Sequence, residues 1–495
     1  MEQGLLFNIQ PANVRHTDVK TPRGYRGFAA FHKYWGKKPV ECLNYLIDNL
    51  TLEHEVVLDP FVGSGLVARE AIQRHRRFIG IDINPVAVEL ARLAVNPPPG
   101  DAFSEAMRRM ERAVRPEIER SYELDNGRIA THFLWDGTEL RSVWCIEGRT
   151  RKEYGPTAHD LELSSQFSGY TSKQIRSLRF FGNSRINASV DMTLRDLFSG
   201  RALRNIDIIM RFIRKEPDAV RSSLLLTLTA ASGQMSKMVF AVSRRGKATG
   251  NVQEKISVGS WVIGYWRPKF HFEVNVWNCF RNRAGRLMKA LNEANSAGSV
   301  AASNSSADVI EAKADVALIE DDARGVLQSL PSKSVSLILT DPPHSDRMPY
   351  LELSEPWNAI LGKEPSFDRE IVVSNAPERG KNKATYTREM GEFFLDAARV
   401  LCDGGTMAIL FNAHDSESWE YLDALHRRSD VIQFRGCFPM AYSAGSVVQD
   451  NRDGALRQDY VLVYQKCAQP SGRNDRWEKL KEMDGWSSLL PGKDT

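Results

Sequence analysis

EVVLDPFVGSGLVAREAIQRHRRFIGIDINP, residues 55–85, decides the fold. EVVLDPF (55–61) is an apolar run of strand length, and GSGLVAREAIQRH continues it as a helix. RFIGIDINP (77–85) reads as a second buried strand and AVELARLAV as a second helix. Strands fully apolar on both faces, alternating with helices, announce a parallel, doubly wound α/β sheet.

Working upstream, residues 28–48 begin polar and aromatic. They then turn periodic, with Leu43, Leu46, Ile47 and Leu50 at helical spacing and Pro39 suited to a first turn. Downstream, 101–123 reads as a charged helix, and from about residue 126 to 290 the βα rhythm is lost. RALRNIDIIMRFIRK (201–215) and SSLLLTLTAASGQMSKMVF (222–240) read as helices, and the aromatic stretch 259–280 as strands or extended chain. NEANSAGSVAASNSSAD (292–308) has the composition of a flexible linker. The rhythm then resumes. Strands are expected in 315–330, which also holds a helix, and at 335–344, 404–413 and 459–466, with an amphipathic helix over 386–401. Two α/β segments therefore flank a long mixed α+β insert.

The glycine-rich turn DPFVGSG, Asp59–Gly65, lies between strand and helix, where backbone N–H groups approach a ligand at the carboxyl edge of the sheet. Gly63 and Gly65 lack the Cβ atoms that would block that approach. Asp82, at the end of the next strand, is placed to accept both ribose hydroxyls of a nucleoside. The GxGxxG spacing for pyrophosphate and the GKS/GKT of a P-loop are both missing, which argues for a nucleoside without phosphates. Asp59 itself is expected to support the turn or the amino-acid end of the ligand.

TDPPH, Thr340–His344, follows the apolar strand Val335–Leu339. Its prolines stiffen the loop and supply no N–H of their own. The Asp341 carboxylate and the Pro342 carbonyl can both accept hydrogen bonds from one exocyclic amine, concentrating its lone pair for attack on an electrophilic methyl group. His344 would lie against the face of the base.

These residues resemble the amino-methyltransferases that use S-adenosylmethionine (SAM) and modify exocyclic amines of DNA bases, most often adenine N6 or cytosine N4. DPFVGSG looks like their cofactor motif and TDPPH like their DPPY catalytic motif, with His344 in place of the usual tyrosine. The resemblance implies a Rossmann-like methyltransferase sheet. It implies catalytic roles for Asp341, Pro342, Pro343 and His344. It implies a cofactor set of Asp59, Pro60, Phe61, Gly63, Gly65, Asp82 and Asn84. HKYWGKKP (His32–Pro39) is similar to the family's additional cofactor segment, adding His32, Lys33, Tyr34 and Trp35. Asp322 and Ala323, in the EDDAR stretch, match the position that contacts the cofactor's adenine ring. The motif order, cofactor first and catalysis after a long insert, is similar to the α-type arrangement. The chain also looks like a bacterial group of large adenine-specific methylases that often carry a zinc ribbon.

That resemblance divides the chain. Residues 1–100 would be the first part of a catalytic domain and 101–291 an inserted target-recognition, DNA-binding region. Residues 292–308 would be a linker, 309–467 the second part of the catalytic domain, and 468–495 a tail. Charge divides the same way. Residues 151–300 hold 24 Lys+Arg and 11 Asp+Glu, net +13, whereas the remainder holds 42 and 51, net −9. A basic block in an otherwise acidic chain is the footprint of a polyanion-binding surface. Arg244, Arg245, Lys247, Trp266, Arg267 and Lys269 are the candidate DNA contacts. No metal is expected: near 135–160 only Cys145 stands where a ribbon would be, and Cys42, Cys145, Cys279, Cys402, Cys437 and Cys467 form no CxxC pair.

No secretory leader or apolar membrane span is read from the sequence, so a cytoplasmic protein with DNA as partner is expected, with restriction-modification or phage-defence subunits open as further partners. The function implied is methylation of adenine N6 in DNA. The alternatives are a cytosine-N4 or RNA base methyltransferase and, in another class, a catalytically inactive DNA-binding subunit.

Overall fold

The computed structural model describes residues 24–243, 246–247, 256–294, 300–345, 348–411, 416–440 and 460–469. In chain order its strands are β1 (Val56–Asp59), β2 (Arg77–Asp82), β3 (Ala130–Asp136), β4 (Glu139–Glu147) and β5 (Thr150–Tyr154). They continue with β6 (Ala241–Ser243), β7 (Gly246–Lys247), β8 (Ser257–Val258), β9 (Phe270–Val274), β10 (Ala302–Ser303) and β11 (Val316–Glu320). The last four are β12 (Val335–Thr340), β13 (Leu401–Phe411), β14 (Ile432–Pro439) and β15 (Tyr460–Lys466).

Eight of these form one sheet in the order β10-β11-β2-β1-β12-β13-β15-β14. Pairing is parallel from β10 through β13, and β15 is antiparallel to both of its neighbours. From β1 the chain moves one way to β2, and much later the other way to β12. The carboxyl ends of β1 and β12 therefore flank the topological switch point, where open α/β sheets bind ligands. Both sequence motifs leave the sheet at that crevice.

Burial explains why these residues form a two-sided sheet. Along β1, Val57 packs with Leu43, Leu46 and Ile47 of the helix Val40–Leu50 and with Leu66 and Val67 of the helix Leu66–Gln73. Val56 and Leu58 face the opposite layer, with Phe393, Phe394 and Ala397 of the helix Lys383–Val400. Alternate residues thus bury on opposite faces, each covered by helices, as the near-continuous apolar strands require.

The insert is a separate piece of architecture. β5, β4, β3 and β9 make a four-stranded antiparallel sheet, and β7, β6 and β8 a small three-stranded one. The helices Gly100–Glu119, Gly200–Ile213, Asp218–Ser232 and Val276–Glu293 pack around them. This core runs on into Leu353, Trp357 and Ile360 of the helix Tyr350–Leu361, so the insert is fused to the second α/β segment rather than tethered to it.

Two expectations need correction. The aromatic stretch 259–280 is extended only to Val274. From Val276 it is helical, capped by the Asn275 side chain, which accepts from the Asn278 N–H. The stretch 292–308 is not a linker throughout: Ala302–Ser303 is the edge strand and Ser306–Ile310 a helix. Its small polar residues serve local bonds instead, with Ser303 Oγ donating to Asp308 at 2.5 Å. Cys145 lies buried in β4, and the segment expected around a ribbon is the β3–β4–β5 meander. Of the tail, only 468–469 fall within the described residues.

Candidate active site

The glycine turn takes its shape from the residues around it. Gly63 and Gly65 have φ of +51° and +77°. A Cβ on Gly65 would lie 2.4 Å from the Ala91 Cα, so the helix Pro85–Val95 can close on the turn only if residue 65 is glycine. The Asp82 side chain ties the turn to β2: its Oδ2 accepts from the Gly63 N–H at 2.9 Å and its Oδ1 from the Asn84 N–H at 2.9 Å. Asp59 joins the two motifs. Its Oδ1 accepts from the Phe61 N–H at 3.1 Å and from Thr340 Oγ1, at the end of β12, at 2.9 Å.

Asp59, Phe61, Gly63 and Asp82 line one cavity with Tyr34, Trp35, Lys38, Asp341, Pro343 and Tyr350. Burial pushes the Asp59 carboxyl up to about 7 and the Asp82 carboxyl up to about 6, against the hydrogen bonds they accept. Neither makes an ion pair with a described residue. Two buried acids without a cation, an aromatic wall and a backbone cradle suit a nucleoside with a positively charged amino-acid end, so the residues fit the cofactor the sequence implies.

The TDPPH loop is held from behind. Tyr386 Oη donates to the Pro343 carbonyl at 2.6 Å, and the Val373 N–H donates to the Ser345 carbonyl at 3.2 Å. Asp341 Oδ2 pairs with Lys38 Nζ at 3.0 Å, whereas Oδ1 is buried with no hydrogen-bond partner. His344 Nε2 lies 3.3 Å from that Oδ1 but out of hydrogen-bonding alignment, and the ring meets Phe411 edge-on at 5.8 Å.

The HKYWGKKP segment bridges the two halves. Tyr34 stacks on Tyr350 at 6.3 Å, and Trp35 on Trp357 at 4.7 Å. His32 and Lys33 turn instead toward the insert. His32 Nε2 meets Thr229 Oγ1 at 3.2 Å, with burial holding its pKa well below the usual histidine value, and Lys33 Nζ donates to the Trp261 carbonyl at 2.9 Å. A second, larger cavity lies between this segment and the insert. It shares Tyr34, Trp35, Gly36, Lys37, Lys38, Asp341 and Tyr350 with the first and adds His344, Trp261 and the helix Val276–Glu293.

Asp322 is not brought into either lining. It caps the helix Ala323–Ser329 and pairs with Arg324 at 2.8 Å, while Ala323 is buried in the core. Asn84 is fully buried, hydrogen-bonded to Asn358 and Ser354, and Pro60 and Pro342 are also buried outside the linings. Of the candidate DNA contacts, Arg244 and Arg245 lie outside the described residues, as does the side chain of Lys247. Trp266 packs near Phe240, Arg267 pairs with Asp196 at 3.4 Å, and the exposed Lys269 pairs with Asp136 at 3.0 Å. Trp261 and Tyr265 from the same stretch are buried.

Sequence reasoning passed over Lys38, Tyr350 and Glu370. Lys38 stands inside the quoted HKYWGKKP segment, but its partner is some three hundred residues away. Glu370, which lines the first cavity and pairs with Arg379 at 2.8 Å, carries no local signal. Among the described residues no group of three or more His, Cys, Asp or Glu could hold a metal ion, and no helix is long and apolar enough to cross a membrane.

The fold is a doubly wound α/β sheet with its crevice at the β1/β12 switch point, and acidic, glycine-rich and Asp-Pro-Pro elements surround that crevice. Residues 7–93, which hold the HKYWGKKP, DPFVGSG and IDIN stretches, match the DNA methylase family N6_N4_Mtase. Over 78 residues the chain is 35% identical to the type II methyltransferase M.HindIII of Haemophilus influenzae, covering 16% of this chain and 25% of that protein. Over 64 residues it is 41% identical to the type II methyltransferase M2.DpnII of Streptococcus pneumoniae, covering 12% and 24%. Over 68 residues it is 35% identical to the type II methyltransferase M2.LlaDCHI of Lactococcus lactis, covering 13% and 25%. The chain spans about a quarter of the length of each of these relatives.

Proposed function

We propose that the protein is a SAM-dependent DNA amino-methyltransferase that methylates the exocyclic amine of a flipped base, adenine N6 in the first instance. One observation carries this reading. Asp341 stands where the two cavities meet, with Oδ2 anchored by Lys38 and Oδ1 buried and unpartnered. A buried acceptor left open is costly, and an amine N–H arriving from the larger cavity would satisfy it.

The smaller cavity holds the cofactor, with Gly63 giving backbone access, Gly65 letting the helix Pro85–Val95 close behind the turn, Asp82 facing the ribose, Asp59 the cationic end, and Phe61 and Tyr34 as aromatic walls. When bound, the cofactor supplies an electrophilic methyl group. The amine gives one N–H to Asp341 Oδ1 and the other to the Pro342 carbonyl, which orients its lone pair toward the smaller cavity. Pro343 fixes the loop so that these acceptors need not reorganise. His344 lies against the base, its ring offering less stacking area than tyrosine. A base inside a duplex cannot reach this point, so the target nucleotide leaves the stack. Asp322 and Ala323 support the carboxyl end of β11 from their cap, and His32 and Lys33 hold the HKYWGKKP segment against the insert.

Transfer of a labelled methyl group from SAM to DNA, with Asp341→Ala as control, tests the reading. Base analysis of the product separates N6-methyladenine from N4-methylcytosine, and an RNA substrate run in parallel tests that alternative. Binding of DNA without transfer would instead mark an inactive DNA-binding subunit.

A further inference from the structure

The larger cavity is a groove whose lining, among the described residues, carries seven cationic side chains and a single carboxylate, Asp341. Three of the seven are engaged elsewhere. Lys38 is paired with Asp341, Lys33 sits 4.3 Å from the centre of the Trp261 ring, and the Arg151 guanidinium lies 3.9 Å from that of Trp144. The other four are Lys37, Arg281, Arg283 and Arg286, and none makes an ion pair with a described residue.

Lys37 and Arg283 are the more telling. Lys37 Nζ donates to the carbonyls of Ala29, at 2.7 Å, and His32, and Arg283 Nη1 to that of Phe31 at 2.8 Å. Backbone carbonyls hold both cations against one short turn without neutralising either. Burial brings the Lys37 ammonium down to about 7 and the Arg283 guanidinium to about 10, each lowered further by a neighbouring arginine. Like charges held together, half-buried beside a groove, are a site for an anion. Arg281 and Arg286 stand exposed on the same helix, Val276–Glu293.

Resting on the methyltransferase reading above, we infer that this groove is the track for the DNA backbone. Arg281 and Arg286 contact successive phosphates, and Lys37 with Arg283 grips the phosphate beside the extruded nucleotide. The positively charged wall lines the same groove as Asp341 and His344, on a helix near the end of the insert rather than around Arg244. The base then enters between His344 and Tyr350 while its phosphate stays on the wall.

The test is binding of a mixed-sequence fluorescent DNA duplex by the full chain over a salt series. Arg281→Gln/Arg286→Gln is compared with a control pair on the exposed face of the helix Gly100–Glu119, Arg108→Gln/Arg112→Gln. Each phosphate contact contributes roughly 0.9 to the slope of log K against log salt, so the first pair is expected to flatten it by about 2. Its affinity should fall at least about 10-fold, with SAM affinity and melting temperature at wild-type values. The control should leave the slope within about 0.5 of wild type. Lys37→Met adds a second reading, lowering affinity at every salt concentration. An unchanged slope in the first pair, or equal flattening in the control, would overturn the assignment while wild-type DNA binding and methylation persist. Losses confined to a duplex RNA probe would overturn it as a DNA track. Absence of DNA binding and of methyl transfer by the wild type is the different result that rejects the methyltransferase reading.

Discussion

Lys38 Nζ stands 3.0 Å from Asp341 Oδ2, and both side chains are largely withdrawn from water. One comes from the segment before the glycine turn and the other from the loop after β12, so this ion pair closes the two halves of the α/β sheet over the crevice. It also divides the work of the carboxylate. Oδ2 is fixed by the ammonium, and Oδ1 is left without a hydrogen-bond partner, which is where the proposed function puts the substrate amine.

Lys38→Met should therefore impair catalysis more than folding of the distant sheet. Without the ammonium Oδ2 loses its anchor, and the carboxylate can turn away from the position a substrate amine would take. We expect kcat to fall about 10²-fold, with the melting temperature near wild type. An unaltered kcat would remove Lys38 from the site.

Asp59 and Asp82 have folded-state pKa values raised to about 7 and about 6. The folded protein without cofactor then holds protons that the unfolded chain releases near pH 4. Their contribution to stability is fully present below that value and is lost as pH rises through 6 and 7. The ligand-free melting temperature should thus decline between pH 5 and pH 8, and Asp59→Asn should flatten the decline. A cationic cofactor reverses the preference, because it is bound by the ionised acids. SAM affinity should rise with pH over the same window, by at most about 10-fold per unit for each proton released. Calorimetry in buffers of different ionisation enthalpy checks the proton count, and zero release at pH 6 would contradict the pairing.

Gly65→Ala asks whether the turn is built around the missing Cβ. The new methyl group would meet Ala91 backbone at 2.4 Å in a residue held at φ +77°. We expect a stability loss of about 2–3 kcal/mol, from strain and displacement of the helix Pro85–Val95. Gly63→Ala has 3.4 Å to the Tyr34 ring and should cost less in stability. Its loss should appear in SAM affinity, since Gly63 lines the cavity assigned to the cofactor. Thermal melts read against calorimetric Kd values separate the two.

Much of this arrangement was legible in the sequence because it is local. Fully apolar strands followed by DPFVGSG and TDPPH gave the α/β order, and the spacing from Gly63 to Asp82 brought the acid back to the turn, as the 2.9 Å bond records. What escaped is what the fold pairs over long distances. Lys38 with Asp341 is one case, and the Lys37–Arg283 cluster is another. Net charge located the basic block but not its face: Arg267 and Lys269, read as DNA contacts, are engaged with Asp196 and Asp136. The β3–β4–β5 meander was missed because its outer strand is exposed along its whole length and shows no apolar alternation.

His344 invites a direct substitution. Its ring is mostly enclosed, faces the larger cavity and makes no hydrogen bond, so flat surface is what it offers a base. His344→Tyr should retain activity within about 10-fold of wild type, and His344→Ala should lose about 10²-fold or more, mostly through weaker retention of the flipped base. Fluorescence of 2-aminopurine at the target position reports base flipping independently of turnover. Loss of activity in both variants would exclude stacking as the role.

Glu355 shows how firmly the insert is joined to the catalytic segment. Its carboxylate, at 0% side-chain exposure, accepts from Arg176 Nη1 and Nη2 at 2.9 and 3.0 Å and from the Arg179 N–H at 2.7 Å. Glu352, one turn away, is bonded to Asn183 and Arg379, so the helix Tyr350–Leu361 is stitched by its acids to chain on both sides. These acids are therefore spent on architecture. Glu355→Gln keeps the volume but leaves Arg176 without its counter-charge. Breaking a buried pair costs about 3–5 kcal/mol, and the partial exposure of Arg176 places this one near the lower end. The melting temperature should drop and proteolysis near residue 176 should accelerate, while kcat per folded molecule stays near wild type. A normal melting curve with lost kcat would move Glu355 into the catalytic machinery.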